Sequence, residues 1–215
     1  MNEQAVLAPW PEHERTSSVL FNNVPCAVLV PFIKNAGGLH LLFEVRSKTL
    51  RWQPGDISFP GGKIEASDVT PLAAAIRETG EELNIPPEKI RVLASLSPLE
   101  TVTGVTLNPF VAEVSSVEDI RCTAEVDHTF TVPLQWFMEH EPELAEMDLA
   151  TRPGATFPVD IPYAGNPMEW RRRKTYFVYI YRYEGYRIWG MTAQIVKECI
   201  DIIKDMYPLH RRSFQ

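Results

Sequence analysis

Three glutamates, Glu78, Glu81 and Glu82, crowd the run Arg77-Glu78-Thr79-Gly80-Glu81-Glu82-Leu83. On a helix, positions three and four apart share a face, so all three carboxylates project the same way. Like charges at this spacing repel by about 0.2–0.5 kcal/mol per pair. They also stand near the helix C-terminus, where the macrodipole disfavours negative charge, and none has a lysine or arginine four residues further on. One reading is a solvated acidic face. The other is a ligand set for a hard divalent cation, Mg²⁺ or Mn²⁺, which takes oxygen donors and keeps positions for water and phosphate. Upstream, Phe59-Pro60-Gly61-Gly62-Lys63-Ile64-Glu65 supplies paired glycines, whose backbone can approach a phosphate or a metal with no Cβ between.

The elements that must hold these groups are legible. Thr70 is a natural N-cap, Pro71 suits the first helical position, Ala73, Ala74 and Ala75 favour helix, and Asn84 before Pro86-Pro87 ends it. Leu72, Ile76, Thr79 and Leu83 form a stripe that faces a core, with the glutamates beside it. A buried strand over Cys26–Phe32, a turn at Asn35-Ala36-Gly37-Gly38 and a return strand over Leu39–Arg46 give the centre of a small mixed sheet. Residues 47–62 form a long loop, with a short strand at Ile57–Phe59; a loop of that length in a compact domain is usually functional. Strands follow near Arg91–Leu96, Phe110–Val114 and Thr129–Val132, and Leu134–Glu139 opens a short helix. Residues 140–168 read as a surface excursion, Thr175–Tyr183 as a strand and Thr192–Met206 as a closing helix.

Composition narrows the function classes. The 215 residues suit one domain over 21–208 behind a loosely ordered arm at 1–20. Acidic residues outnumber basic ones 28 to 21, for a net charge of −7, which argues against binding bulk nucleic acid. Cys26, Cys122 and Cys199 make no CxxC pair, so no structural zinc site or disulfide framework is expected, and a reducing, cytoplasmic setting is; Cys26 and Cys199 read as buried thiols. The longest apolar stretch, near Ala27–Ile33, is too short to span a bilayer, and no signal peptide is visible. Arg171-Arg172-Arg173-Lys174 is the one dense basic run, either a solvated strand start or a dock for a phosphate.

The order Gly62, Asp68, Arg77-Glu78, Glu81-Glu82, Ile85 resembles the Nudix box, the Gly…Glu…Arg-Glu…Glu-Glu…Gly signature of Nudix hydrolases. The resemblance implies an α/β Nudix fold, a mixed β-sheet sandwiched between α-helices. It implies that Glu78, Glu81 and Glu82 hold Mg²⁺ or Mn²⁺ together with the Gly62 carbonyl, and that Arg77 orients the glutamates. Asn84 stands in place of the usual glycine and Thr79 in place of an aliphatic residue. Asp68 stands where glutamate is usual, and the interval to Arg77 is one residue longer than in the general box.

Those last two departures are shared with coenzyme A pyrophosphatases, whose upstream motif this chain is similar to at Leu41-Leu42, Arg46-Ser47, Leu50-Arg51, Gly55, Ile57 and Phe59-Pro60-Gly61-Gly62, with Gln53 replacing a histidine. The resemblance runs from about Cys26 to Ile203. It implies cleavage of the diphosphate of coenzyme A to 3′,5′-ADP and 4′-phosphopantetheine, with Arg46, Ser47, Arg51, Phe59 and Lys63 at the substrate and Glu125, or else Glu100, as general base. The implied partner is a small nucleotide, with no nucleic acid and no membrane, and a homodimer is open. Other Nudix substrates, such as ADP-ribose, NADH or a dinucleoside polyphosphate, stay open as alternatives, as does a non-catalytic Nudix-like ligand sensor.

Overall fold

Alternation along one strand decides the architecture. In β1 (Val24–Asn35), Val28, Val30 and Phe32 join one hydrophobic cluster, while Ala27, Leu29 and Ile33 point to the opposite face. A strand buried on both faces belongs at the centre of a covered sheet. The computed structural model describes residues 23–35, 37–115 and 120–206; the arm expected over 1–20 and the ends of the domain expected over 21–208 lie outside them.

The chain continues through β2 (Gly38–Arg46), β3 (Ile57–Ser58), β4 (Gly61–Lys63), α1 (Pro71–Leu83), a 3-10 turn (Pro87–Lys89), β5 (Ile90–Ser95), β6 (Leu99–Glu100), β7 (Val105–Val114), β8 (Val126–Pro133), α2 (Leu134–Glu139), β9 (Glu143–Thr151), β10 (Arg171–Tyr183), β11 (Tyr186–Trp189) and α3 (Gly190–Met206). The main sheet runs β3-β2-β1-β7-β5, with β4 on β1, β6 on β7 and β8 on β2. Only the β1–β7 ladder is parallel, so the sheet is mixed. On one face, Ala74, Ala75 and Leu83 of α1 pack on Ala27, Leu29 and Leu42. On the other, Phe137 of α2 and Ile195, Val196, Cys199 and Ile200 of α3 cover Val30, Phe32 and Phe43. The sheet therefore lies between helices, an α/β arrangement of the expected kind.

Three expectations need correction. Residues 143–151 are a strand rather than part of a surface excursion: β9 pairs with β10 and, through it, β11 to make a second sheet. Its ladder to β10 is flanked by exposed ion pairs, Glu143 to Arg182 at 2.8 Å and Asp148 to Arg172 at 3.6 Å, and it is largely exposed, so no hydrophobic alternation marks it. Cys26 is half-buried, whereas Cys199 is buried. The buried face of α1 carries Ala74, Ala75, Thr79, Glu82 and Leu83, while Leu72 and Ile76 are only partly covered. Glu82 thus lies on the buried face itself, not beside it. Among the described residues no helix is long and apolar enough to cross a membrane.

Phe43 ties this core together. It is fully buried, stacks on Phe59 at 4.9 Å and on Phe130 at 5.4 Å, and meets Phe137 at 6.1 Å. Phe43→Ala should cost about 3–5 kcal/mol in denaturant unfolding; a loss under about 1 kcal/mol would contradict its place at the centre of the core.

Candidate metal centre

The site grows from a divided strand edge. Along one side of β1, Phe32–Asn35 pair with Leu41–Gly38 of β2, whereas Cys26–Val28 pair with Lys63–Gly61 of β4. Between the two ladders the Leu29 N–H donates to the Pro60 carbonyl at 2.9 Å, and Pro31 has no N–H to leave unsatisfied. β2 and β4 thus part from a common neighbour, and α1 packs across β1 and β4 beside the split. Only glycine fits at 61: φ is +145°, and a Cβ would stand 2.3 Å from the Ala27 carbonyl oxygen and 2.6 Å from Val28 Cα. A Cβ at Gly62 would lie 2.6 Å from the Glu78 carboxyl carbon, so the helix carboxylate rests directly against the glycine backbone.

α1 aims the acids. The Thr70 hydroxyl accepts from the Ala73 N–H at 3.1 Å, Pro71 begins the helix, and Asn84 ends it with a left-handed φ of 55°. The buried Thr79 hydroxyl is satisfied by donating to the Ala75 carbonyl at 2.7 Å. Glu82, only 6% exposed, accepts from the Gly61 N–H at 2.8 Å. Arg77 grips Asp68 through Nε and Nη2 at 3.0 and 2.9 Å, reaches Glu78 at 3.0 Å and Glu81 at 3.1 Å through Nη1, and donates to the Lys63 carbonyl at 3.3 Å. Asp68 also accepts from the Glu65 N–H, and these bonds hold its carboxyl below the usual carboxylate range. The acidic cluster is therefore relieved by Arg77, one turn before Glu81, although no basic residue follows it. The three glutamates do not meet at one point. Glu78 and Glu82 turn toward the glycines, while Glu81 stays exposed against Arg77. Among the described residues, no group of three or more acidic, histidine or cysteine side chains stands close enough together to hold a metal ion by itself.

A fourth acid, Glu44 of β2, was missed. It is 1% exposed; Oε1 accepts from the Ser58 hydroxyl at 2.8 Å, and Oε2 has no hydrogen-bond partner. Burial raises the Glu44 pKa, against the Ser58 hydrogen bond and the Arg46 charge. Burial also raises that of Glu82, reinforced by the charge of Glu44 and offset by the Gly61 N–H. Burial, opposed by Arg77, raises Glu78 as well. The signal was present in the sequence: a lone charge inside Leu41-Leu42-Phe43-Glu44-Val45, a strand otherwise apolar on both faces.

The other candidate residues divide into near and far. Arg46 ends β2, close enough to act electrostatically on Glu44 and Glu82, and its Nε is buried without a partner. Glu125 is exposed, but its segment is anchored. Thr123 N–H donates to the Glu82 carbonyl at 3.1 Å and Ser47 N–H to the Glu125 carbonyl at 2.8 Å, and the Glu125 charge is felt at Glu44. The Ser47 hydroxyl bonds locally to Thr49 at 2.8 Å, and Arg51 and Lys63 are exposed. Phe59, expected at the substrate, is buried in the aromatic core on the other face of the sheet with Ile57, while Ser58 between them turns toward Glu44. Glu100 lies on β6, opposite Thr106. The basic run at 171–173 opens β10, where Arg171 and Arg173 hold the 151–164 segment. A cleft of about 460 Å³, lined by Val45, Asp56, His128, Arg182, Tyr186 and Trp189 among others, opens on the face of β2 away from Glu44 and so is not the carboxylate site.

An all-oxygen donor set, a carboxyl pressed on a glycine backbone and a buried oxygen without a donor fit a hard divalent cation such as Mg²⁺ or Mn²⁺. The NUDIX domain profile matches residues 25–154. The chain is 36% identical over 178 residues to NudL of Citrobacter koseri, described as an uncharacterized Nudix hydrolase, covering 82% of this chain and 81% of that one. It is 33% identical to NudL of Escherichia coli K12, with the same coverage. Among solved structures, an Ap4A hydrolase of C. elegans aligns at a TM-score of 0.45 and 24% identity over 51% of this chain and 80% of that one.

Two outcomes follow from this geometry. Because folding raises the pKa of Glu44 and Glu82, the metal-free protein gains from the protonated pair fully below the ordinary value of 4.5, and that gain is lost as pH rises through the elevated values. Melting temperature in EDTA should therefore fall between about pH 5 and 9, and Glu82→Gln should flatten the curve; a rising wild-type curve would contradict the buried pair. Gly62→Ala should fold, since the Glu78 side chain can swing away, but should weaken Mn²⁺ binding by roughly 10-fold or more in titrations of the free-ion electron paramagnetic resonance signal.

Proposed function

This chain belongs to the Nudix hydrolase family, and on that footing we propose that it hydrolyses the diphosphate linkage of coenzyme A or a derivative of it, giving 3′,5′-ADP and 4′-phosphopantetheine. The observation that carries the reading is the contact of Glu78 and Glu82 with Gly61-Gly62, at the end of the run from Arg46 that carries the coenzyme A pyrophosphatase pattern. Glu78, Glu81, Glu82 and the Gly62 carbonyl would hold the cations. Bound Mg²⁺ or Mn²⁺ supplies Lewis-acid neutralisation of the charge that builds on a diphosphate under attack.

The chain's own residues do the rest. A water oxygen bonds to one phosphorus, the bond from that phosphorus to the bridging oxygen breaks, and the departing group leaves as a phosphate monoester. Glu125, held beside the end of α1 by the Thr123 and Ser47 hydrogen bonds, takes the proton from the water on its carboxylate. Arg46 at the end of β2, with Arg51 and Lys63 on exposed backbone nearby in sequence, clamps the phosphates. Arg77 fixes the rotamers of Glu78 and Glu81 through its shared guanidinium nitrogen. Three free cysteines suit a reducing, cytoplasmic setting.

The test is to incubate the protein with Mg²⁺ or Mn²⁺ and coenzyme A, ADP-ribose, NADH or diadenosine polyphosphates, and to identify products by mass spectrometry. Coenzyme A should give the two named monoesters, and Glu82→Gln should slow the reaction by about 100-fold or more. Turnover of ADP-ribose or NADH but not coenzyme A would overturn the substrate, and no turnover of anything would favour a ligand sensor.

A further inference from the structure

Glu44 has no assigned part in the reading above, and its surroundings are not those of an ordinary core acid. A buried carboxylate is normally paired or hydrogen-bonded at both oxygens. Here Ser58 satisfies Oε1 alone. Oε2 has no hydrogen-bond partner of ordinary geometry, and the side chain that approaches Glu44 from α1 is another acid, Glu82, with which it can only share a proton or a cation. The Arg46 guanidinium is close enough to be felt at Glu44, yet its buried Nε is also unpartnered, so the two do not close into an ion pair. A residue serving only to brace β2 against β3 would need the Ser58 bond and nothing more. Position adds to this: Glu44 is opposite Ser58 in the β2–β3 ladder, at the edge of the split from which Gly61-Gly62 emerges, and faces the same acid that takes the Gly61 N–H.

We infer that Glu44 is a further ligand of the divalent cation, contributing its donorless Oε2 from the sheet opposite the helix carboxylates Glu78 and Glu82. This inference rests on reading the site as a metal centre. It gives the cation donors from both the sheet and the helix, so that binding clamps strand to helix.

Mn²⁺ titrations followed by the free-ion electron paramagnetic resonance signal, with melting curves in EDTA and in Mn²⁺, test it on the full chain. Glu44→Gln keeps the shape and can still accept from Ser58. It should bind Mn²⁺ about 10–100-fold more weakly, melt higher than wild type in EDTA at pH 8, and lose most of the increment that Mn²⁺ adds. Wild-type Mn²⁺ affinity with a lower melting temperature in EDTA would overturn the assignment, because that is the signature of a bracing hydrogen bond. Should Glu44→Gln not fold, Glu44→Asp keeps the charge and withdraws the oxygen by one methylene; it too should bind Mn²⁺ more weakly, and undiminished affinity overturns the inference. Failure of wild type to bind Mn²⁺, or wild-type binding by Glu82→Gln, would instead remove the metal centre itself, and Glu44 with it.

Discussion

Two acids cannot share an apolar space unless a proton or a cation stands between them. Glu44 and Glu82 are packed together under 1% and 6% exposure, and the neighbouring groups do not balance their charge. Most of what is distinctive in this fold arranges that conflict. β2 brings one acid from the sheet, α1 brings the other from the helix, and the Gly61 N–H is spent on the second of them. A protein selected for stability alone would place leucine or valine at both positions. Holding a costly pair in a rigid frame makes sense where the return is affinity for a cation.

The frame is rigid because its parts are over-determined. Glycine at 61 is required by a backbone that passes within 2.6 Å of where its Cβ would sit, and the glycine beside it sets the distance to Glu78. Arg77 then links Asp68, Glu78, Glu81 and the Lys63 carbonyl, joining the start of the turn, the helix and β4 in one charged network. Exposed ion pairs contribute little to stability individually. Their value here is positional: a guanidinium fork fixes several carboxylates at once.

Local chemistry was what the sequence made legible. Thr70, Pro71 and Asn84 mark the ends of α1 because capping and left-handed conformations are decided within a few residues. The mixed sheet between helices was likewise readable, through periodicity and a recognisable motif. What was not readable depends on partners far along the chain. Glu44 shows in the sequence as a lone charge in an apolar strand, but its meeting with Glu82 depends on how α1 packs. β9 becomes a strand only by pairing with β10, on the far side of the 152–170 segment. Phe59 belongs to the motif by position but to the core by geometry, since the strand turns it away from the carboxylates that Ser58 faces.

The loop between β2 and β3 closes on itself at its neck, where Arg46 N–H donates to the Asp56 carbonyl at 2.9 Å and Gly55 N–H returns to the Arg46 carbonyl at 3.0 Å. Residues 48–54 thereby hang from a fixed neck, beside which the Ser47 N–H holds the Glu125 carbonyl. Such a neck lets this segment change in length or composition without shifting the glutamates of α1 or the strand that carries Glu44. Substrate preference can then drift in evolution while the reaction stays constant, and the departure at Gln53 sits inside that permissive stretch.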